Sequence, residues 1–261
     1  MSTIPLRYRH WSYVWIPIVT GLVWFGMLWA MLIVWLAQGR PKYASQDGSI
    51  AYISDVGADI LKPLFIVGCS ITGVGFFLCL VVERYLRHSE DNHGRALTCL
   101  STKPRLMPHM RRREKVFSTL AAVGAAIGGA GLIFLSIFDT LRYTSAHRVF
   151  LLVFMLGVAL SAIFTIVEYR WIKKDFALAR ELKIAYIAKA LIASALILLA
   201  IAFGITLYYA GDVGAILEWT IAMLFTFYVF TYYYDLRLSK GIQKGELHAL
   251  KNEPSAYAQR A

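Results

Sequence analysis

Ser54, Asp55 and Asp59 fall within a six-residue window, and Asp139, Asp212 and Glu218 stand farther along at similar borders between apolar and polar sequence. Carboxylates gathered from such places can exchange protons with a substrate or hold a hard cation through oxygen ligands. Each has a plainer use as well. Asp59 and Asp212 stand where a helix N-cap takes an orphan amide, and Glu218, about one turn into an apolar run, is favoured by the positive end of a helix. For Asp55 and Glu218 both uses stay open. The ionisable groups within apolar runs are few, namely Glu218, Glu168 and Lys189. Such groups are costly in lipid and often functional. All six histidines, His10, His88, His93, His109, His147 and His248, fall outside those runs, so no histidine cluster is expected to hold zinc at membrane depth. No nucleophile and base stand at a diagnostic spacing. The residues therefore predict no catalytic residue, no metal and no cofactor.

The elements that must position these groups are set by hydropathy. Of 261 residues, 58% are hydrophobic and 16% charged, against the roughly 25% charged of soluble domains. The apolar residues form six blocks near 14–37, 61–82, 116–138, 149–170, 185–209 and 215–234, each about the length that crosses a hydrocarbon core. Lipid offers the backbone no partners, and runs this long without apolar/polar alternation pair their amides internally only as helices. The first block exceeds a signal-peptide core and lacks an A-x-A-like site, so it is read as a retained span. The predicted fold is all-α, a single six-helix membrane domain over 1–261, with a basic loop at 83–115 and a tail at 237–261. No proline falls mid-helix in the last four blocks, so the broken helices many transporters use are not signalled.

The net charge of +11 has an explanation other than nucleic acid. With that topology, 21 of the 27 Lys and Arg lie on one side and 5 on the other, while Lys189 lies within the fifth block. Positive residues mark the cytosolic side, which places both termini and the 83–115 loop in the cytosol and the segments 38–60, 139–148 and 210–214 in the lumen or exterior. Arg111, Arg112, Arg113 and Lys115 beside the membrane fit contact with anionic lipid headgroups, or a plain topology signal. Gly124, Gly128, Gly129 and Gly131 give the third block a small-residue face, suited to close packing inside the bundle or to dimerisation. Cys69 and Cys79, on one helix, are about 15 Å apart by rise and cannot bridge. Cys99 is a free thiol or a palmitoylation site.

The string Ala51-Tyr52-Ile53-Ser54-Asp55-Val56-Gly57-Ala58 in the first loop resembles the signature of the Frag/DRAM/Sfk family of six-helix membrane proteins. So does the closing stretch Leu217-Glu218-Trp219-Thr220 through Phe227-Tyr228-Val229-Phe230 to Asp235. Ala51 departs from the Pro that the family often carries before the Tyr. The Ile-Ser-Asp form is closer to the DRAM-like and Sfk-like branch than to the GPI-anchor remodelling branch of the fungal Cwh cell-wall proteins. The resemblance implies functional positions at Tyr52, Ser54, Asp55 and Gly57 and at Glu218 and Trp219. It also implies a role in membrane lipid homeostasis or autophagy. The expectation is a non-enzymatic regulator or scaffold with membrane lipids as partners, in the plasma membrane or an endomembrane such as vacuole, lysosome or Golgi. A protein partner is not identified by the sequence. The alternatives are a GPI-lipid remodelling enzyme or enzyme subunit and, third, a transporter or channel. Physically, Asp55 and Glu218 are expected to tie the first loop to the mouth of the last helix, with Gly57 supplying backbone freedom.

Overall fold

The computed structural model describes residues 13–46, 48–87, 112–175 and 180–237. Each apolar block becomes a helix, because every amide in such a block finds its carbonyl within the segment. These are α1 (Trp15–Ala37), α3 (Lys62–Arg87), α4 (Arg112–Ile137), α5 (Thr144–Asp175), α6 (Arg180–Tyr209) and α7 (Gly211–Arg237). A single turn that hydropathy does not signal, α2 (Ile53–Val56), lies between the first two spans. No strand occurs among the described residues.

Most helices outrun their apolar blocks. Glu83 to Arg87 continue α3, and Arg112 to Lys115 begin α4, so the loop expected at 83–115 is shorter. Hydropathy reports the depth of the hydrocarbon core, whereas hydrogen-bonded helix continues through the polar interface. For the same reason the segment expected at 139–148 shrinks, and His147 belongs to the first turns of α5 rather than to a loop. The link expected at 210–214 reduces to Ala210.

Neighbours in sequence are neighbours in space, and α7 closes the ring by packing on α1 as well as on α6 and α3. The middle is filled by aromatic rings. Phe76 of α3 meets Phe225 of α7 edge-on with centroids 5.4 Å apart, and Trp24 of α1 and Phe154 of α5 reach the same Phe225 at 6.0 and 5.9 Å. Trp24 also donates its indole N–H to the carbonyl of Ala222 at 2.8 Å, satisfying the one polar atom this ring brings inside.

The small-residue face of α4 is spent inside the bundle. A Cβ on Gly157 of α5 would lie 2.4 Å from the backbone nitrogen of Gly128, and one on Gly129 would lie 2.7 Å from the carbonyl oxygen of Gly73 in α3. Backbones approach this closely only where side chains are absent. Among the described residues the long helices expose many large apolar side chains, Leu22, Val67, Leu156, Leu191 and Leu198 among them. So much exposed apolar surface fits lipid and not water. All six long helices are long and apolar enough to cross a membrane. The chain is an integral membrane protein.

Candidate functional site

The first loop is 38–61, and it turns back on itself before α3. Gly39 takes φ +80° as α1 ends, a left-handed conformation that a residue without Cβ adopts freely. Tyr52 is extended (ψ 156°), and α2 begins after it. Asp55, at the third position of α2, accepts the amide of Tyr52 through Oδ2 at 3.0 Å, the reciprocal half of a capping box. Its Oδ1 accepts the hydroxyl of Ser45 at 2.5 Å. Asp55 is 2% exposed, so these bonds replace water that the carboxylate has lost.

Glu218 takes the next amide along. Its Oε2 accepts the N–H of Ile53 at 2.7 Å. The two carboxylates thus hold consecutive amides of one turn, Asp55 from within the loop and Glu218 from α7. Around them, Trp219 donates its indole N–H to the carbonyl of Ala51 at 3.0 Å, and the hydroxyl of Tyr52 donates to the carbonyl of Gly211 at 2.9 Å. Asp212 completes the clasp by accepting the amides of Ser49 and Ile50 on Oδ1, at 2.5 and 2.9 Å. Hydrogen bonds from the side chains of Tyr52, Asp212, Glu218 and Trp219, spanning up to 168 positions in sequence, therefore fasten the first loop over the start of α7, with Asp55 holding the turn from within.

The expected tie between the loop and the last helix is present, and its wiring corrects several details. Asp55 fixes the turn whose next amide Glu218 of α7 accepts. Asp212 reaches across to the loop, not back into its own helix as an N-cap. Asp59 makes no side-chain hydrogen bond among the described residues; it offers its backbone carbonyl to Lys62. Ser54 is half-buried and makes no side-chain hydrogen bond among them. Gly57 has an ordinary helical φ of −75°, so it is not there for backbone freedom. A Cβ at that position would lie 2.7 Å from the ring of Phe65, so what Gly57 supplies is room.

At the same end of the bundle, Asp139 pairs with Lys62 and accepts the amide of Arg142 at 2.7 Å. Burial opposes its ionisation, but the Lys62 and Arg142 bonds and charges outweigh it and hold the carboxyl below its usual range. Burial, with the carboxylates of Asp59 and Asp55 near by, pushes the Tyr43 phenol up. His147 is 3% exposed, with Nδ1 at 2.9 Å from the carbonyls of both Leu135 and Phe138. Carbonyls only accept, so Nδ1 carries the proton and caps the end of α4.

Beneath the clasp lies a narrow crevice of about 80 Å³, smaller than the roughly 300 to 1,000 Å³ of clefts that hold drug-sized ligands. Its walls come mainly from α5, α6 and α7, and Ile53 and Glu218 stand where the clasp meets it. A second cluster lies at the opposite end, where Lys189 of α6 forms an ion pair with Asp235 of α7, each side chain 1% exposed. The Lys189 ammonium also sits 3.5 Å from the centroid of the Tyr232 ring. Lys189 was visible as a lone cation within an apolar block. The signal for Asp235 was that such a cation needs a counter-charge at its own depth, but Asp235 sits just past the last apolar block and reads as an edge residue. Of the basic cluster, Lys115 is exposed on α4, Arg112 and Arg113 open that helix, and Arg111 lies outside the described residues, as does Cys99. Among the described residues no group of three or more His, Cys, Asp or Glu is arranged to hold a metal.

Comparison with known proteins converges on one family. The profile described as the Frag1/DRAM/Sfk1/Cwh43P N-terminal domain matches residues 12–239. Protein SFK1 of Saccharomyces cerevisiae is 31% identical over 183 residues, covering 64% of this chain and 52% of the yeast protein. Protein sfk1 of Schizosaccharomyces pombe is 28% identical over 230 residues, covering 87% of this chain and 65% of its own length. The chain thus spans between half and two thirds of the length of these relatives. No solved structure matches it.

Proposed function

The chain belongs to the Frag1/DRAM/Sfk1/Cwh43P N-terminal domain family, and on that premise we propose that it is a non-enzymatic regulator or scaffold acting in membrane lipid homeostasis or autophagy, in the manner of DRAM-like and Sfk-like members. One observation carries the reading. Asp55, Glu218 and Asp212, the carboxylates best placed for chemistry, accept backbone amides of the first loop. A carboxylate engaged in this way works as a fastener, and the loop it fastens is a lid over an apolar crevice.

In this reading both termini and the basic loop face the cytosol, the clasp faces the lumen or exterior, and the membrane is the plasma membrane or an endomembrane. Lys115 and the arginines preceding it meet anionic headgroups on the cytosolic side. Lipid profiling of cells lacking the protein tests the proposal. The expected result is an altered distribution or abundance of membrane lipids that is restored by the wild-type chain. The opposite reading, catalysis on GPI-lipids, would be established by turnover of such a lipid by purified protein, lost in a folded Asp55→Ala variant.

A further inference from the structure

The crevice under the lid contains one polar group with an acceptor to spare. Glu218 is 8% exposed and lines the crevice. Its Oε2 is held by the Ile53 amide, and its other oxygen has no hydrogen-bond partner among the described residues. The walls around it are hydrocarbon, including Phe154 and Met155 of α5, Leu196 and Ala200 of α6, and Phe225 of α7.

The shape suits a lipid chain. Glu218 and Tyr228 both line the crevice and stand ten positions apart on α7, about 15 Å of helical rise. That is half of a roughly 30 Å hydrocarbon core, the depth of one leaflet. α5 packs broadly on α4 and only sparsely on α6, and both helices contribute walls to the crevice. The head of the occupant is constrained by the clasp. Ile53 donates to Glu218 at the clasp end of the crevice, and a phosphate there would leave water for hydrocarbon walls with no Lys or Arg among the lining residues.

We propose that the α5–α6 crevice binds one chain of a neutral, hydroxyl-bearing membrane lipid from the leaflet on the clasp side, with the lipid hydroxyl donating to the unpartnered oxygen of Glu218. This deepens the lipid-regulator reading and rests on it.

Photocrosslinking with the full-length protein in phosphatidylcholine nanodiscs tests the site. Three probes carry the same diazirine-bearing chain: a diacylglycerol, its hydroxyl methyl ether, and a phosphatidic acid. The diacylglycerol should label wall residues such as Met155 and Ile197. Capping the hydroxyl as the ether should lower that labelling about fivefold, as expected for one net hydrogen bond, and the phosphatidic acid should label no better than the ether. Ala200→Phe, which fills the crevice without touching the clasp, should abolish labelling of the walls while leaving that of outward residues such as Leu198 unchanged. Equal labelling by all three probes, labelling confined to outward residues, or labelling unaffected by Ala200→Phe would each overturn the site. If the walls stay unlabelled but loss of the protein still changes cellular lipids, the crevice assignment fails and the regulator reading stands. If cellular lipids are unchanged, the regulator reading itself fails.

Discussion

Asp55 draws together three segments of the first loop by accepting from Tyr52 and Ser45 while it fixes the turn that Glu218 grips. Replacing it with Ala removes a cap and strands buried donors, each effect worth about 1 to 2 kcal/mol. Asp55→Ala should therefore lower the unfolding temperature in detergent clearly, and Asp55→Asn, which keeps one acceptor, should lower it less. Thermal scanning by tryptophan fluorescence measures both. The ion pair of Lys189 and Asp235 makes a sharper test. Lys189→Met leaves a carboxylate buried opposite a thioether and should cost roughly 3 to 5 kcal/mol, whereas Lys189→Met with Asp235→Leu should recover most of the loss. A double-mutant cycle in denaturant checks this, and additive losses would show that the two side chains do not act as a pair. Asp139 supplies the pH dependence. Its folded carboxyl is held below the unfolded value of about 3.9, so its contribution is complete above that pH and fades as the pH falls through the lowered folded value. Acid melting curves of Asp139→Asn should lack that part of the wild-type decline. At this scale the sequence marked Asp55 and Glu218 as residues worth following, since few ionisable groups lie in or beside the apolar runs. It misassigned Asp212 because a carboxylate at a helix start looks the same in sequence whether it caps its own helix or reaches 162 positions back to another loop.

Among the elements, α4 and α5 form the tightest seam, and glycine is what permits it. Gly157→Ala forces a methyl to 2.4 Å from the backbone of Gly128, so the helices must separate, at a cost of about 1 to 3 kcal/mol. Gly26→Ala in α1 meets nothing within 4 Å and should be neutral or stabilising by up to about 1 kcal/mol, the helix-propensity gain of Ala over Gly. Comparing the two variants in one unfolding assay separates packing from propensity, and equal effects would contradict the seam. The glycines of α4 were legible as a small-residue face, and close packing within the bundle was one of two readings for it. Gly73 and Gly157, which complete the contact from α3 and α5, were not, because a glycine's partner lies on another helix and leaves no local trace. The single turn α2 was equally invisible, since four residues carry no periodicity and its cap depends on a side chain folding back.

At the scale of the whole molecule, a 21 to 5 division of Lys and Arg predicts that epitope tags at both termini are reached by antibody only after the membrane is permeabilised. A tag in the first loop, beside Lys42, should be reached in intact cells if the membrane is the plasma membrane, or protected from protease in sealed vesicles if it is an endomembrane. Accessibility of the termini from outside would reverse the topology and move the clasp to the cytosol. The membrane class, the number of spans and the family strings were determined by the sequence alone, because chain length against bilayer thickness and the obligation to pair every amide leave a long apolar run only one structure. Which helices would be neighbours, which carboxylates would meet the first loop, and that an apolar crevice with one spare acceptor lies under it were decided only by tertiary structure. Hydropathy acts along the chain, whereas a clasp and a crevice exist only between segments that folding has brought together.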